Sequence, residues 1–345
     1  MTLNAVLEEQ AGHCAALGSP FMARMLPLLG QVWRTASQLD RAIARFDGDI
    51  GPNGHSLPLR LASGLHALVL TGQQPGLVSA YPPNTVSDAR LKDVLTDALV
   101  THEAFLIDWI ASPPQTNEVR RSAVLIAGAH DLVRRTGVSR LHLSELGASA
   151  GLNLMFDRFA LDAGGVRVGP DDAALTLAPD WFGAPLVAAR FSVSERRGVD
   201  LNPLDPRDPA NALRLRAYLW PDQPHRLALT DAAIAANAAH VERGDAVDWL
   251  ETRLESPSQD HMHLIYHTIA WQYFPPDKQA RGTALIEAAG ADATPERPLA
   301  WLALESDGTT PGAAITARLW PGDHRISLGR ADFHGRWVDW NPDQP

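Results

Sequence analysis

The residues best suited to chemistry in this chain begin at Glu145. The run Glu145-Leu146-Gly147-Ala148-Ser149-Ala150-Gly151-Leu152-Asn153 closes the apolar stretch Leu141–Leu146 and leads into a helix-like stretch, Leu152–Phe159. It reads as strand, tight turn, helix. Glycine and other small residues keep such a turn bare, so a ligand can approach the backbone closely, and the first N–H groups of a helix lack intrahelical partners. A nucleotide-like ligand can then lie across the strand ends of an open sheet. Small residues also make purely structural turns, so the run needs support from the rest of the chain.

Two polar clusters bear on it. Pro113-Pro114-Gln115-Thr116-Asn117-Glu118 sets four hydrogen-bonding side chains in a row ahead of a helix. Thr116 can cap that helix, with Asn117 and Glu118 in a first turn whose dipole favours them; alternatively, Gln115 and Asn117 face a substrate or ligand. His267, Trp271 and Tyr273 follow a second apolar run, His263–Thr268. A histidine there can take a proton from a hydroxyl or amine, and Trp or Tyr rings can shelter a cation; aromatics at this spacing serve equally as core. His261, His263 and His267 lack both the H-E-x-x-H pattern and an identifiable third ligand, so no metal is expected.

These groups need a frame. Residues 1 to about 138 read as helical, with apolar residues three and four apart in Leu3–Leu17, Leu28–Phe46, Leu57–Leu70, Leu91–Ile110 and Val119–Val133. After Leu141 the texture alternates. Strands are expected at Gly198–Leu201, His240–Gly244, His263–Ala270 and Leu299–Glu305, and helices at Asn211–Tyr218, Asp231–Asn237, Val247–Leu254 and Asp277–Ala289. Such alternation predicts an α/β fold with a mainly parallel sheet covered on both faces. Residues 159–195 interrupt it as an antiparallel insertion, with Ala163-Gly164-Gly165 turning between Phe159–Asp162 and Val166–Val168. Ala314–Trp320 and Arg325–Trp340 read as two or three closing strands. The division expected is a helical region, 1–138, able to act as a lid over substrate, and an α/β domain, 139–345.

Composition limits the partners. The chain has 345 residues, 45% hydrophobic and 20% charged, with a net charge of −10. Without a basic stripe to displace counterions, nucleic acid is disfavoured as a partner. Cys14 is the single cysteine, and the N-terminus carries acids where a signal peptide carries basic residues. Both features point to a reducing, cytoplasmic setting, and no run approaches the roughly 20 apolar residues of a membrane span.

With these segments in place, the chain resembles class I S-adenosylmethionine-dependent methyltransferases. Glu145, Gly147 and Gly151 match their first motif, an acid followed by glycines at alternate positions, with Ser149 where the middle glycine stands. Gly198-Val199-Asp200-Leu201-Asn202-Pro203 is similar to the end of the second strand, whose acid holds the ribose hydroxyls. Gly244-Asp245-Ala246-Val247-Asp248-Trp249 is similar to the third-strand motif at the adenine edge. His263–Thr268 resembles the fourth strand, which delivers residues to the transferring methyl. The closing strands resemble the family's antiparallel sixth and seventh. The resemblance thus implies a Rossmann-like methyltransferase fold with S-adenosylmethionine as cofactor. Its ligands would be Glu145, Gly147, Ser149, Gly151, Asn153, Asp200 and Asp245, with His267 and Tyr273 catalytic and Gln115, Asn117 and Trp271 at the substrate, an unidentified small molecule or protein. Asp162 is a rival to Asp200 for the ribose, and Asp245 serves equally as a helix N-cap.

The chain is also similar to the uncharacterised bacterial family called domain of unknown function 2332. The shared segments are Pro113–Arg120, Glu145–Asn153, Asp200–Asp205, Tyr218–Gln223 and His267–Phe274. Two other functions stay open. A protein of the same fold can bind a ligand without transfer chemistry. Gly147-Ala148-Ser149-Ala150-Gly151 also fits the G-x-S-x-G elbow of serine hydrolases, with Asp260 or Asp307 and then His324 or His334 in the right chain order. That fold, however, needs strands ahead of the elbow, where this chain reads helical.

Overall fold

The computed structural model describes residues 2–52, 54–255 and 260–343. They form two compact units: Met1–Thr116 with Arg207–Ala228, and Asn117–Pro206 with Leu229–Pro345.

The first unit begins with seven helices among its described residues: α1 (Leu3–Ala16), α2 (Pro20–Gln31), α3 (Gln38–Ile43), α4 (Leu57–Leu70), α5 (Pro75–Ala80), α6 (Asp88–Thr101) and α7 (Glu103–Ala111). Serine caps start several of them; Ser19, Ser37 and Ser87 each accept a first-turn N–H. Two expected helices are split. Leu28–Phe46 breaks at Val32–Ser37, where the Asp40 carboxylate takes the Trp33 indole N–H (2.9 Å) and the Ala36 N–H (2.8 Å), offering the backbone an alternative to helix. Leu91–Ile110 breaks at His102, which ends α6 and starts α7. The core gathers Leu7, Met25, Leu29, Leu61, Leu65 and Leu95, all fully buried.

The second unit opens with a short 3₁₀ turn, Val119–Arg121, and α8 (Ser122–Thr136), which ends at Gly137 in the left-handed conformation. Then come β1 (Arg140–Leu146), a 3₁₀ helix (Leu152–Arg158), β2 (Ala160–Ala163), β3 (Val166–Val168), β4 (Thr176–Leu177), β5 (Asp180–Gly183) and β6 (Ser192–Asp200). The chain passes to the first unit for α9 (Pro209–Ala217). Helix α10 (Pro224–Ala236) brings it back to β7 (Val241–Arg243), α11 (Ala246–Leu254), β8 (Met262–Thr268), a 3₁₀ turn (Trp271–Tyr273), α12 (Pro276–Ala291), β9 (Leu299–Glu305), β10 (Ala313–Trp320), β11 (His324–Ala331) and β12 (Trp337–Trp340).

Nine strands form one mostly parallel sheet in the order β5-β12-β11-β10-β9-β8-β1-β6-β7. The five from β9 to β7 are parallel, and β10, β11 and β12 follow β9 as successive antiparallel neighbours. The chain leaves β1 towards β6 and β7, then returns to the other flank of β1 with β8. The order therefore reverses between β1 and β8, the place where open α/β sheets bind ligands at their carboxyl ends. Strands this central are buried on both faces, and β1 and β8 are buried almost throughout, polar residues such as Ser144, Glu145 and His267 included. Helix α8 covers one face, where Gly128 packs so close that a Cβ would lie 2.6 Å from Leu302. Leu299 and Trp301, alternating with Leu302 along β9, face the core of α11 and α12 with Leu250 and Ile286. Because α8 packs on this sheet, the units divide at Thr116/Asn117, whereas the sequence division falls at 138/139.

The insertion is antiparallel only in part. β2 and β3 form the expected hairpin, but β4 pairs parallel with β2. β5 leaves them to extend the main sheet beside β12, with Trp181 and Trp340 rings 6.0 Å apart. Among the described residues, no helix is long and apolar enough to cross a membrane.

Candidate functional site

Glu145 lies near the carboxyl end of β1, in register with Gly198 of β6 and Tyr266 of β8. It is 2% exposed, and its Oε2 has no hydrogen-bond partner. Burial pushes this carboxyl well above the usual range and the charge of Asp200 pushes it further; the Tyr266 hydroxyl and the Arg121 guanidinium only partly oppose them. The uncharged form is favoured. A buried polar atom without a partner is costly, and such atoms in native folds call for a ligand, a water or a functional reason.

Beyond β1 the backbone reverses sharply. Gly147, Ser149 and Gly151 have φ of 71°, 52° and 72°, so every second residue is left-handed. Glycine adopts this at no steric cost; Ser149 does not. Asp200, at the end of β6, supplies the compensation. Its Oδ2 accepts the Ser149 N–H at 2.9 Å and its Oδ1 the Asn202 N–H at 2.8 Å. The N–H groups of Gly147 and Ala148 both reach the Val199 carbonyl at 3.0 Å. A Cβ on Gly147 would sit 2.6 Å from Ala270 Cβ, and one on Gly198 would sit 2.7 Å from Ala148 Cβ. Ala148, Ser149 and Ala150 are buried, while Gly147 is partly exposed.

After the turn the helix-like stretch forms a seven-residue 3₁₀ helix, Leu152–Arg158. The Asn117 Oδ1 accepts the Leu152 N–H at 2.9 Å, fastening this segment from outside. Asn153 turns inward, at 1% exposure; its Oδ1 accepts from Ser122 Oγ (2.7 Å) and its Nδ2 donates to the Glu118 carbonyl. Glu118, not Thr116, caps the 3₁₀ turn at Val119, its side chain accepting the Arg120 N–H, because regular structure begins only after that residue. Gln115 lies three residues before Glu118 in the same irregular segment, within the first unit.

The remaining candidates divide by place. Asp245 caps α11, accepting from Val247 N (2.9 Å) and Asp248 N (3.1 Å), and its other oxygen pairs with Lys278 at 3.1 Å. Asp162 sits in the three-stranded sheet, paired with Arg167, whereas Asp200 touches the turn itself. His267 is buried; the Trp301 indole N–H donates to its Nε2 (2.9 Å), so its Nδ1 carries the proton and donates to Glu305 Oε1 (2.7 Å). Trp271 stacks on the His267 ring at 5.1 Å, and Tyr273 is 71% exposed.

Sequence reasoning passed over Glu305, Tyr266 and Arg121. The signal for Glu305 was present: it is an acid closing the strand Leu299–Glu305, as Glu145 and Asp200 stand near the ends of theirs. Burial raises the Glu305 carboxyl, but hydrogen bonds from His267 and the Ala270 and Trp271 amides outweigh this and hold it below the usual range. Arg121 is buried and donates to the carbonyls of Phe333 (2.9 Å) and Thr268 (3.1 Å). Four cavities among the described residues of the second unit, of about 280 to 440 Å³, open at the amino ends of the parallel strands, around Thr136, His263, Pro298 and Trp320. The turn is at the opposite edge. Among the described residues, no group of three or more His, Cys, Asp or Glu side chains converges to hold a metal.

The sheet and its edge define an α/β protein with a large, mostly parallel sheet, carrying at its order reversal a left-handed small-residue turn between a buried and a half-buried acid. The chain belongs to the bacterial family described as "Uncharacterized protein conserved in bacteria (DUF2332)", which matches residues 4–340. No curated protein and no solved structure matches it.

Proposed function

We propose that this protein binds S-adenosylmethionine on a Rossmann-like methyltransferase sheet and transfers the methyl group to a small molecule or protein. The observation that carries this reading is Glu145, a buried carboxyl with an unpartnered oxygen, beside a turn in which Gly147 leaves no room for a Cβ. The strand order β7-β6-β1-β8-β9 supports it, since the turn and Asp200 then share the edge where a nucleotide binds.

The residues present fit the group. Each Asp200 oxygen already takes one backbone N–H and keeps a lone pair for a ribose hydroxyl. Glu145, Gly147, Ser149 and Gly151 would hold the adenosyl and methionine parts; Asn153 acts indirectly, by fixing the segment after the turn. When bound, the cofactor supplies an activated methyl on a sulfonium. The chain's own contribution is alignment and exclusion of water. His267 can act as a base only by giving up the Trp301 hydrogen bond at Nε2, which makes positioning its resting role. Tyr273 is the exposed side chain of this group, open to an acceptor.

Calorimetric titration with S-adenosylhomocysteine tests the reading. Micromolar binding to the wild type, abolished in Gly147→Arg, is expected; no binding to folded wild type sinks the proposal. One observation favours a second reading. Ser149 has the strained left-handed backbone of a nucleophile elbow, at φ 52°. A covalent adduct of a fluorophosphonate with Ser149 would favour the hydrolase, although this serine is 6% exposed and follows the first strand of its sheet.

A further inference from the structure

One side chain gathers the loop between β8 and α12. Glu305, the last residue of β9, accepts at Oε1 from His267 Nδ1 (2.7 Å), Ala270 N (2.9 Å) and Trp271 N (3.0 Å), and at Oε2 from Gln272 N (3.3 Å). Three consecutive amides and one imidazole thus converge on a single carboxylate. The loop they belong to is strained. Ile269, a β-branched residue, is held at φ 53°, where such side chains crowd their own backbone. The Ile269 N–H reaches the Leu304 carbonyl at 2.8 Å, so the strain is locked next to Glu305.

The far side of the loop meets the glycine turn. Ala270 Cβ occupies the space that a Cβ on Gly147 would need, 2.6 Å away. Trp271 lies over His267 and fills the notch left by Gly282 of α12, where a Cβ would come within 2.6 Å of the indole ring. The loop is therefore shaped on one side by the turn and on the other by α12, with Glu305 beneath its amides.

We propose that Glu305 is a positioning residue, whose carboxylate holds the strained Thr268–Phe274 loop against the glycine turn so that Ala270 forms one wall of the adenosyl site. This rests on the cofactor reading above. His267 belongs to the same device: its Nδ1–H bond to Glu305 and its Nε2 bond from Trp301 fix the ring on which Trp271 stacks. Without the carboxylate, three amides lose their shared acceptor and Ile269 relaxes to an extended conformation, lifting Ala270 away from Gly147.

The experiment compares wild type with Glu305→Gln, by residue-resolved amide hydrogen exchange and by titration with S-adenosylhomocysteine. A carboxamide keeps one oxygen for the Ala270 and Trp271 amides but sets an N–H₂ donor against the Gln272 N–H, so exchange at Gln272 is expected to rise about tenfold or more, with smaller rises at Ala270 and Trp271 and with Leu264 and Ile265 of β8 unchanged. Affinity for S-adenosylhomocysteine is expected to fall about tenfold, since a wall of the site is no longer preorganised. Adding Ile269→Gly to Glu305→Gln removes the strain and is expected to restore several-fold protection. Unchanged local exchange, or a uniform rise across the sheet with affinity intact, overturns the proposal. Should Glu305→Gln fail to fold, Ile269→Gly alone must raise protection at residues 270–272 above wild type; no gain overturns it. Absence of binding by wild type overturns the cofactor reading instead, and the exchange data still report separately on what holds the loop.

Discussion

Replacing Glu145 with glutamine separates a neutral buried acid from an ion-paired one. Glu145 is 2% exposed, and burial together with the charge of Asp200 raises its carboxyl well above the usual range. The unfolded chain releases this proton near pH ~4.3, whereas the folded state keeps it to higher pH. Above that value the unfolded state binds fewer protons, so the stability of the wild type falls as pH rises. Within this window each pH unit costs at most ~1.4 kcal/mol of wild-type stability. Glu145→Gln has no proton to lose and lacks this term. Its new buried N–H₂ needs partners of its own, at a cost of about 1–3 kcal/mol that does not vary with pH. The slope is therefore diagnostic and the offset is not. Urea unfolding of both proteins at pH 5, 6 and 7 gives the difference directly, since buried groups such as His66 and His263, whose pKa values are lowered to about 4 and about 3, titrate alike in both and cancel. Wild-type stability minus variant stability is expected to decline steadily across the series. A difference that stays constant, or rises with pH, would show that Glu145 is ionised in the folded state, and the account of the unpartnered oxygen would be wrong.

Gly147→Ala combines a left-handed backbone with a Cβ 2.6 Å from Ala270, and is expected to cost about 2–4 kcal/mol in urea unfolding; a loss under about 0.5 kcal/mol would mean the turn is not tightly held. Asp200→Ala removes the acceptor of the Ser149 and Asn202 amides and is expected to weaken S-adenosylhomocysteine binding at least ~10-fold. Asp162→Ala, in the separate three-stranded sheet, is expected to leave binding unchanged, and the reverse pattern would reassign the ribose acid. Asp245→Ala is expected to cost about 1 kcal/mol of stability as a lost N-cap, with binding kept; loss of binding without loss of stability would return it to the site.

Patterns one element long were legible in the sequence. Spacings of three and four marked the helices at Leu3–Ala16 and Leu57–Leu70, and the apolar runs marked β1, β8 and β9, because burial on one or both faces writes its period into the chain. The small-residue turn was legible too, since left-handed backbone selects glycine. What the sequence misjudged was decided by single side chains reaching elsewhere. Asp40 competes for the amide that would have continued a helix, and so splits the run Leu28–Phe46.

Residue types and local periods follow from each position's own neighbours, and these the sequence determined by itself: the α/β alternation, the acids near strand ends, the turn. Partnership belongs to tertiary structure alone. Nothing between Ser149 and Asp200 in the chain says that one will hold the other's amide, nor that Glu305 will collect three amides and His267 while Glu145 is left with an oxygen unmet. Those outcomes depend on which strands lie side by side. Strand order is set by packing and crossover geometry over distances that no local pattern encodes.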